Sequence, residues 1–337
     1  MPIARIPITL VSGFLGAGKT TLVNHLLAEY PGEHIGVIVN EFGEVGIDGQ
    51  LMVADDNPVI EITNGCVCCT VRRDLAVAVD EILRASVRPI ERLIIETSGL
   101  ADPAPVLQTF LADPDMLQRV ELESVVTVVD ACHLRWHITD EIVREQLAFA
   151  DVVVVNKMEL VTAADMQRLE RDIRQINPAA QLLQTRQARV PAGSLLGTQR
   201  FSLTNVLAIE PGLLDGGEHD HEHDASIQSQ CLVGPRALDP VRFNRWINQL
   251  VQRDGPQLLR IKGVLWFDGE PRRFFFHGVH MLLDAKPGGR WQPDEHRESR
   301  LVFIGRDLDG DALRQGFLDC AVAPTPSPVL RPHLTTH

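Results

Sequence analysis

One short stretch, Gly13-Phe14-Leu15-Gly16-Ala17-Gly18-Lys19-Thr20-Thr21, constrains this chain more than any other. It fits the pattern G-x-x-x-x-G-K-[ST], and it lies between a β-rich apolar run (Ile6 to Val11) and a helix-forming run (Thr21 to Glu29). In this strand–loop–helix setting the pattern forms a phosphate-binding loop, because its glycines let successive N–H groups face an anion. The N-terminus of the following helix adds partial positive charge. The sequence therefore predicts a nucleoside triphosphate site, with Lys19 on the β- and γ-phosphates and the Thr20 hydroxyl on Mg²⁺.

Length, charge and cysteine content restrict the class of protein. A chain of 337 residues is long enough for about two domains. Its net charge of −13 argues against nucleic acid as a partner. No apolar run approaches the roughly 18 residues of a membrane-spanning helix, and the N-terminus does not resemble a signal peptide. We therefore expect no membrane partner and a cytoplasmic location, in which the six cysteines are reduced thiols.

Residues 1–190 read as a layered α/β domain. Short, nearly continuous apolar runs are typical of strands buried on both faces of a parallel sheet, and they alternate with amphipathic helical patterns. The pattern predicts a P-loop NTPase sheet with helices on both faces, and ligands at the carboxyl ends of its strands. The predicted strands are Ile35–Val39, Arg92–Ile95, Val125–Val129 and Val152–Val155, and the predicted helices include Leu75–Leu83, Pro103–Leu111, Asp140–Phe149 and Ala164–Ile176.

A second ordered region spans residues 227–322. It is preceded by a linker with a His-rich loop (191–226) and followed by a Pro-rich tail (323–337) whose composition predicts disorder. Its pattern predicts a smaller α+β domain of ferredoxin-like type, with two helices on one antiparallel sheet. The predicted strands are Ile227–Val233, Leu258–Phe267, Arg273–Leu283 and Ser299–Gly305, and the predicted helices are Pro240–Val251 and Asp311–Leu318.

A base-reading motif follows the strand Val152–Val155. Asn156-Lys157-Met158-Glu159 stands where GTPases usually carry N-K-x-D. In that motif Asn and Lys shape the pocket, and the carboxylate accepts two hydrogen bonds from the guanine edge. Glu159 is one methylene longer than the usual Asp. We expect guanine over adenine, and the alternative is a polar strand-to-helix turn.

Two further segments follow strands and have the character of phosphate-sensing loops. Glu96 ends an apolar run, so it would bind Mg²⁺ through water or position the attacking water, and the N–H of Gly99 would sense the γ-phosphate. The alternative for Glu96 is a cap on the following helix. The polar segment Asn40–Asp48 is a candidate switch ordered by the triphosphate, with a plain surface loop as the alternative.

Three cysteines lie within the short run Asn64-Gly65-Cys66-Val67-Cys68-Cys69-Thr70. In a reducing compartment such spacing favours a soft metal site over a disulfide, and Zn²⁺, Cu(I) and Co²⁺ are all chemically acceptable. A carboxylate from the 41–48 loop, Glu41 or Glu44, would complete the coordination. The alternative is a set of buried cysteines in a turn. The isolated Cys132, Cys231 and Cys320 are interpreted as core residues.

The tract His219-Asp220-His221-Glu222-His223 is a looser set of candidate ligands. Alternate histidines in an extended chain lie on one side and suit a borderline metal such as zinc. The alternative is a solvated acidic loop. His277 and His280 lie in apolar runs and are interpreted as structural.

Taken together, these motifs resemble the CobW-like (CobW/YjiA-type) GTPases. The motifs Gly13–Thr21, Asn40–Asp48, the C-x-C-C run, Glu96–Pro103 and Asn156–Glu159 occur in that family's order, and Glu96 stands where most GTPases carry Asp. The second region is similar to the CobW C-terminal domain through Leu259–Gly263 and Phe267–Pro271. The resemblance implies a GTP-dependent zinc or cobalt metallochaperone with slow intrinsic hydrolysis, in which the nucleotide controls metal affinity at the thiol site. Glu159 is the departure from the family's pattern.

The leading hypothesis is therefore a GTP hydrolase that binds Zn²⁺, with Co²⁺ as the alternative metal, and transfers it to a client metalloprotein. A P-loop small-molecule kinase would explain the phosphate loop but not the cysteines. A passive metal-binding or storage protein would explain the cysteines but not the nucleotide motifs. Metal-dependent GTP turnover without a phosphorylated product separates the three. The client and the oligomeric state, homo-oligomer included, stay open.

Overall fold

The first domain is built on a parallel sheet. The computed structural model describes residues 5–40, 57–62, 69–86, 88–197 and 227–323. In these ranges the sheet has seven strands in the order β3-β2-β4-β1-β5-β6-β7, all paired in parallel. The strands are β1 (Ile6–Ser12), β2 (Ile35–Asn40), β3 (Val59–Ile62), β4 (Arg92–Thr97), β5 (Val120–Asp130), β6 (Val152–Asn156) and β7 (Gln181–Gln184).

Helices cover both faces of this sheet, as predicted. The helices are α1 (Lys19–Glu29), α2 (Cys69–Ala85), α3 (Ala104–Ala112), α4 (Pro114–Arg119), α5 (Leu134–His137), α6 (Glu141–Phe149) and α7 (Ala163–Ile176). Side chains alternate along each strand, so Val126 and Val128 join α1 in one core, and Val125 and Val129 join α2, α3, α6 and α7 in the other. This alternation explains the continuous apolar runs.

In the first domain, the elements that the sequence did not predict are short ones. Strands β3 and β7 have four residues each, and helices α4 and α5 have six and four. Such elements are too short to show the hydrophobic repeat of a helix or of a strand in the sequence. Strand β5 also begins at Val120, earlier than the predicted Val125, because its first residues alternate between buried and half-buried, with Glu121 and Glu123 on the half-buried side.

The second domain confirms the predicted α+β class. Its antiparallel sheet has five strands within the described residues, in the order β11-β10-β9-β12-β8. The strands are β8 (Ile227–Gly234), β9 (Leu258–Leu265), β10 (Arg272–Val279), β11 (Leu282–Arg290) and β12 (Ser299–Arg306), and the helices are α8 (Pro240–Asp254) and α9 (Gly310–Asp319). Both helices pack on one face, where Phe243 and Phe317 meet Ile261 and Phe303.

One predicted strand of this domain was wrong. The run Arg273–Leu283 is not a single strand, because the chain reverses between β10 and β11 at His280 and Met281. Apolar residues continue on both sides of the turn, so the pattern hid it. His280 adopts a left-handed backbone (φ 49°), which the turn requires.

The two domains share a core. The second face of the antiparallel sheet packs against the first domain, so that Leu259, Val264 and Val302 belong to the same cluster as Leu147 and Ile173. The C-terminal sheet therefore rests on α6 and α7 of the nucleotide-binding domain.

Some predictions lie outside the described residues, namely residues 41–48 of the candidate switch, the cysteine run before Cys69, most of the linker, including the histidine tract, and the tail from 324 onward. Within the described ranges, no helix combines the length and apolar character needed to cross a membrane.

Candidate functional site

The loop after β1 forms a cradle in which two positions admit only glycine. Gly13 has φ 136°, and an added Cβ would lie 2.1 Å from the carbonyl oxygen of Val128. Gly18 has φ 107°, and an added Cβ would lie 2.6 Å from Nδ2 of Asn156. Side chains are rare at such φ values, so the loop closes tightly only with glycine. Helix α1 begins directly after it, at Lys19, so the partial positive charge of the helix N-terminus lies at the loop.

The structure brings the two predicted magnesium-site residues together. Thr20 lies in the first turn of α1, and Glu96 lies in β4, where its side chain is buried. Thr20 Oγ1 donates a hydrogen bond to Glu96 Oε1 over 2.8 Å. Lys19 is also buried, and its Nζ donates to the carbonyl oxygen of Phe14 at 3.3 Å, across the loop. Two oxygen ligands beside a glycine cradle and a lysine fit a magnesium–triphosphate group.

The loop after Glu96 lies against the phosphate loop. A Cβ added at Gly99 would lie 2.6 Å from the backbone nitrogen of Leu15, so only glycine permits this approach. Thr97 and Ser98, which lead to it, are buried, whereas Leu100 is about half exposed. Gly99 is therefore adjacent to the phosphate loop, as the γ-phosphate role requires.

Asn156 and Lys157 connect three loops at the carboxyl edge of the sheet. Asn156 Nδ2 donates to the Ala17 carbonyl oxygen at 3.0 Å, and its Oδ1 accepts from the Ala188 N–H at 2.8 Å. Lys157 has a left-handed backbone (φ 61°), and its Nζ donates to the Gly16 carbonyl oxygen at 2.8 Å. These bonds hold the phosphate loop and the loop after β7 in one arrangement.

Asp130, at the end of β5, anchors Lys157 from the other side. Its Oδ2 lies 2.8 Å from Lys157 Nζ and 2.7 Å from His133 Nδ1. Burial alone would raise the pKa of Asp130, but the hydrogen bonds from Lys157 and His133 outweigh burial and hold that pKa below its usual value. The ionised carboxylate therefore keeps Lys157 fixed at neutral pH. Asp130 belongs to none of the motifs recognised in the sequence. Its position directly after the apolar run Val125–Val129 could have marked it as a site residue.

A cavity of about 600 Å³ opens beside these residues. Its size suits a nucleoside, since ligand pockets typically measure about 300–1,000 Å³. Glu159 stands exposed at its rim, in a single 3₁₀ turn (Met158–Leu160). The cavity is lined by Gly16, Gly18, Thr21, Asn24, His25, Asn156, Lys157, Glu159, Gln187 and Arg189.

The segment after β7 is a part of the site that motif reasoning missed. Gln187 and Ala188 both have positive φ, 52° and 54°, and the Thr185 hydroxyl fixes their turn by donating to the Arg189 carbonyl oxygen at 2.7 Å. Non-glycine residues in this conformation persist only where the surroundings impose it. The signal was present, because a polar run follows a strand here too, but the four-residue β7 was not recognised as a strand.

Most of the predicted metal ligands lie outside the described residues: Cys66, Cys68, Glu41, Glu44, His219, His221 and His223. Cys69 is the first residue of α2, but the position of its thiol is not described. Among the residues with described side chains, no group of three or more His, Cys, Asp or Glu is arranged to hold a metal. The proposed thiol site therefore remains a prediction.

The isolated cysteines and histidines occupy mostly structural positions. Cys231 and Cys320 are buried as predicted, and burial raises the pKa of each thiol to about 11, which keeps them protonated. Cys132 is only half-buried, because it lies at the surface end of β5. His280 packs against the ring of Phe149, and burial lowers the pKa of its imidazole.

Family models match both domains. Residues 7–184 match the CobW/HypB/UreG nucleotide-binding domain, and residues 227–321 match the C-terminal domain of the cobalamin synthesis protein cobW. Together the two matched ranges contain the phosphate loop, the base-reading motif and the whole antiparallel sheet.

Similar proteins cover nearly the whole chain. The zinc chaperone YjiA of Escherichia coli (strain K12) is 35% identical over 321 residues, which cover 93% of this chain and 98% of the relative. The zinc chaperone CobW of Pseudomonas aeruginosa is 33% identical over 350 residues, with coverage of 92% and 90%. The zinc-regulated GTPase metalloprotein activator 1 of Dictyostelium discoideum is 30% identical over 382 residues, with coverage of 94% and 78%.

The fold also matches a solved structure over nearly its full length. The crystal structure of Zn(II)-bound YjiA GTPase from E. coli superposes with a TM-score of 0.71 and 30% identity, covering 95% of this chain and all of that one. The family models, the relatives and the fold agree with the site geometry. The chain thus belongs to the CobW family, and it contains both the nucleotide-binding domain and the C-terminal domain of that family.

Proposed function

We propose that this chain is a GTP hydrolase that acts as a zinc chaperone, binding Zn²⁺ at Cys66, Cys68 and Cys69 and releasing it to a client metalloprotein under nucleotide control. Cobalt is the alternative cargo. The names of the relatives support zinc handling and GTP hydrolysis, and the site described above supports nucleotide binding. We place the activity in the cytoplasm, and we retain the domain division 1–190, 191–226, 227–322 and 323–337.

The observation that carries the link between nucleotide and metal is the register of β2, β3 and β4. Val39 of β2 lies beside Glu96 of β4, and Asn40 lies beside both Thr97 and Ile62. Strands β2 and β3 therefore end at the same edge of the sheet, beside the residue proposed to serve Mg²⁺, and the 41–48 segment and the cysteine run follow these two strands in the sequence. A change at the nucleotide phosphates is thus adjacent to the start of both metal-ligand segments.

The phosphoryl chemistry rests on residues at the phosphate loop. Lys19 and the loop N–H groups stabilise negative charge on the transferring phosphoryl group. Thr20 would hold Mg²⁺ through its hydroxyl, and Glu96 would bind the ion through water or position the attacking water. The ion would supply positive charge that neutralises the phosphate oxygens. Gly99 offers a backbone N–H to the γ-phosphate, so this contact distinguishes GTP from GDP.

Base selection rests on the 600 Å³ cavity. Asn156 and Lys157 are fixed by their bonds to the phosphate loop, so they form a rigid wall for the nucleoside. The Glu159 carboxylate at the rim accepts hydrogen bonds from the N–H groups of the guanine edge. Adenine offers no such pair of donors there, so GTP is preferred over ATP.

Zinc is the cargo of the reaction. Thiolates are the strongest soft ligands, and two or three of them, together with a carboxylate from Glu41 or Glu44 or with water, meet the usual four-coordination of zinc. A coordination position held by water is one that a client's ligand can enter. Binding releases protons and weakens as pH falls, because thiols bind metal as thiolates. The histidines His219, His221 and His223 form weaker, accessory sites.

The first test measures phosphate release with GTP and with ATP, each with and without Zn²⁺ or Co²⁺. We expect GTP hydrolysis that responds to metal and yields GDP and phosphate alone. A phosphorylated small molecule as product would instead identify a kinase, and metal binding without turnover would identify a passive metal-binding protein.

The second test titrates zinc against a chelating dye, in the presence of GDP or a non-hydrolysable GTP analogue. Cys68→Ala should weaken tight zinc binding by more than the roughly 10- to 100-fold that loss of an outer-shell partner costs, and it should leave nucleotide binding intact. Cys231→Ala is the matched control, since its buried thiol should not bind zinc. Deletion of 218–224 should remove only weak sites. Unchanged tight affinity in Cys68→Ala, or equal affinity with both nucleotides, would contradict the proposal.

A further inference from the structure

One buried glutamine of α6 holds the loop that follows Glu96. The side chain of Gln146 is 1% exposed, and its Nε2 donates to the carbonyl oxygens of Gly99 (3.1 Å) and Ala101 (3.2 Å). The amide thus uses both of its N–H donors on two carbonyls of one short loop. Its own backbone carbonyl accepts from the Thr127 hydroxyl at 2.7 Å, which ties α6 to β5. Loss of the amide would leave two carbonyl oxygens without these donors.

The loop held by Gln146 is enclosed between α6 and the phosphate loop. Gly99 approaches the backbone of Leu15 so closely that a Cβ would not fit, as described above. Gln146 and Leu15 therefore limit the loop from opposite sides. The Gly99 N–H, which we assign to the γ-phosphate, belongs to the same peptide as the Ser98 carbonyl, and that carbonyl accepts from the Ala101 N–H at 3.1 Å. By holding the carbonyl oxygens of Gly99 and Ala101, Gln146 fixes the turn that contains this bond.

Helix α6 also contacts the C-terminal domain through its two glutamates. Arg306, at the end of β12, donates to Glu145 and lies 2.8 Å from Oε1 of Glu141. Glu145 is the residue directly before Gln146. Burial raises the pKa of Glu145, and the hydrogen bond from Arg306 opposes that rise.

Arg306 acts on the far end of the loop as well. Asp102 follows Ala101, and its carboxylate accepts from the Ala104 N–H at 2.8 Å, which begins α3. Burial raises the pKa of Asp102, while the nearby charge of Arg306 lowers it. The guanidinium of Arg306 thus contacts Glu145, the neighbour of Gln146, and its charge favours the ionised form of Asp102 at the end of the Gly99–Ala101 loop.

We propose that Gln146 is a positioning residue for the Gly99–Ala101 loop, and that the C-terminal domain sets the rate of GTP hydrolysis through Arg306 and helix α6. This inference rests on the proposed GTPase function. It assigns to the C-terminal domain a role in the chemistry, beyond its packing against the first domain.

The first variant is Gln146→Met, which keeps the length and volume of the side chain and removes the amide. In the full-length chain we expect kcat to fall about tenfold, KM for GTP to rise less than threefold and the Kd for GDP to stay unchanged, because the loop faces only the γ-phosphate. A purely structural role would instead weaken GDP binding together with kcat.

The second variant, Arg306→Gln, changes a side chain near the surface and so does not depend on a buried substitution being tolerated. We expect kcat to fall about threefold with the Kd for GDP unchanged. Lys286→Gln is the matched control, because Lys286 also joins the two domains, at 2.8 Å from Glu121, but does not contact α6. Its kcat should equal that of the wild type.

The double variant Gln146→Met/Arg306→Gln tests whether both residues act on one loop. We expect its kcat to stay near the tenfold reduction of Gln146→Met, because Arg306 has no further route once the amide is lost. Independent effects would multiply to about thirtyfold and would overturn the inference, as would an Arg306→Gln variant that behaves like Lys286→Gln. A wild-type chain that does not hydrolyse GTP would overturn the proposed function itself. The wild type is therefore assayed first, before any variant.

Discussion

The polar side chains at the two ends of β6 differ in their surroundings: a second domain covers one end, and a cavity lies beside the other. At the amino end, Asp151 is 5% exposed, and its Oδ1 lies 2.7 Å from both Arg260 Nη2 and Lys262 Nζ of the C-terminal domain. Its Oδ2 accepts from the Val125 N–H at 2.9 Å. At the carboxyl end, Asn156 and Lys157 stand beside an open cavity. One end is closed by a neighbouring domain, and the other faces solvent.

The difference separates a structural charge cluster from a binding site. Asp151 has partners on both of its oxygens and is almost completely buried, so its charge serves to join the domains. Lys262 is equally buried. Burial lowers the pKa of its ammonium, and the Asp151 carboxylate opposes that lowering. The Lys157 side chain is about one-third exposed, and it donates to the phosphate loop rather than to a second domain. Solvent access and loops rich in glycine distinguish the functional end.

The largest effect is expected at the carboxyl edge, for Lys19→Ala. GTP turnover should fall about 10³-fold, because the lysine stabilises charge on the phosphates, while the fold is retained. Phosphate release and urea unfolding measure the two properties. A folded variant with near wild-type turnover would show that this edge is not the phosphate site.

At the amino end, Asp151→Asn should cost stability rather than catalysis. It leaves Arg260 and Lys262 buried without their carboxylate, so the free energy of unfolding should fall by about 3 kcal/mol in urea. Burial would raise the pKa of Asp151, but Lys262 and Arg260 hold it well below its usual value. This stabilisation is therefore present at neutral pH and is lost as pH falls below about 4, the range of an unfolded Asp.

The same variant gives a pH profile that checks the assignment. Between pH 7 and pH 3, the wild type should lose stability more steeply than Asp151→Asn, because only the wild type must protonate this carboxylate on unfolding. Parallel profiles would show that Asp151 does not supply the acid-sensitive stabilisation. The GTP-to-ATP ratio of the folded variant should match the wild type.

A smaller effect is expected for Glu159 at the rim of the cavity. Glu159→Ala should lower the ratio of kcat/KM for GTP over ATP about tenfold, since two hydrogen bonds to guanine are lost from a solvent-exposed site. Glu159→Asp restores the usual length and should hold or raise that ratio. An unchanged ratio in Glu159→Ala would mean that this residue does not read the base.

The smallest effect concerns a second ion pair between the domains. Lys286 and Glu121 bridge the two sheets at 2.8 Å, but both side chains are about one-third exposed or more. Lys286→Gln should reduce the free energy of unfolding by only about 0.5 kcal/mol. If Lys286→Gln lowered the free energy of unfolding as much as Asp151→Asn, an exposed ion pair between the domains would stabilise the protein as strongly as the buried one. That result would contradict the view that burial makes the Asp151 cluster the stronger of the two.

The sequence by itself determined the phosphate loop, the α/β order of the first domain and the α+β class of the second. These features are local: the glycines, Lys19 and Thr20 are neighbours in the chain, and buried strands such as Val152–Asn156 show in composition alone. The positions of Glu96, Gly99 and Asn156 followed from one general rule, that loops after parallel strands meet at one edge.

Only the tertiary structure decided which of these residues touch. The bond between Thr20 and Glu96 joins residues far apart in the chain, and so do the contacts of Asn156 with Ala17 and Ala188. Periodicity reports which face a residue takes but not its partner across the fold, so Gln146 and Arg306 looked like ordinary polar surface positions. The turn at His280 was hidden for the same reason, because a reversal between two apolar strands depends on pairing between strands and not on local pattern.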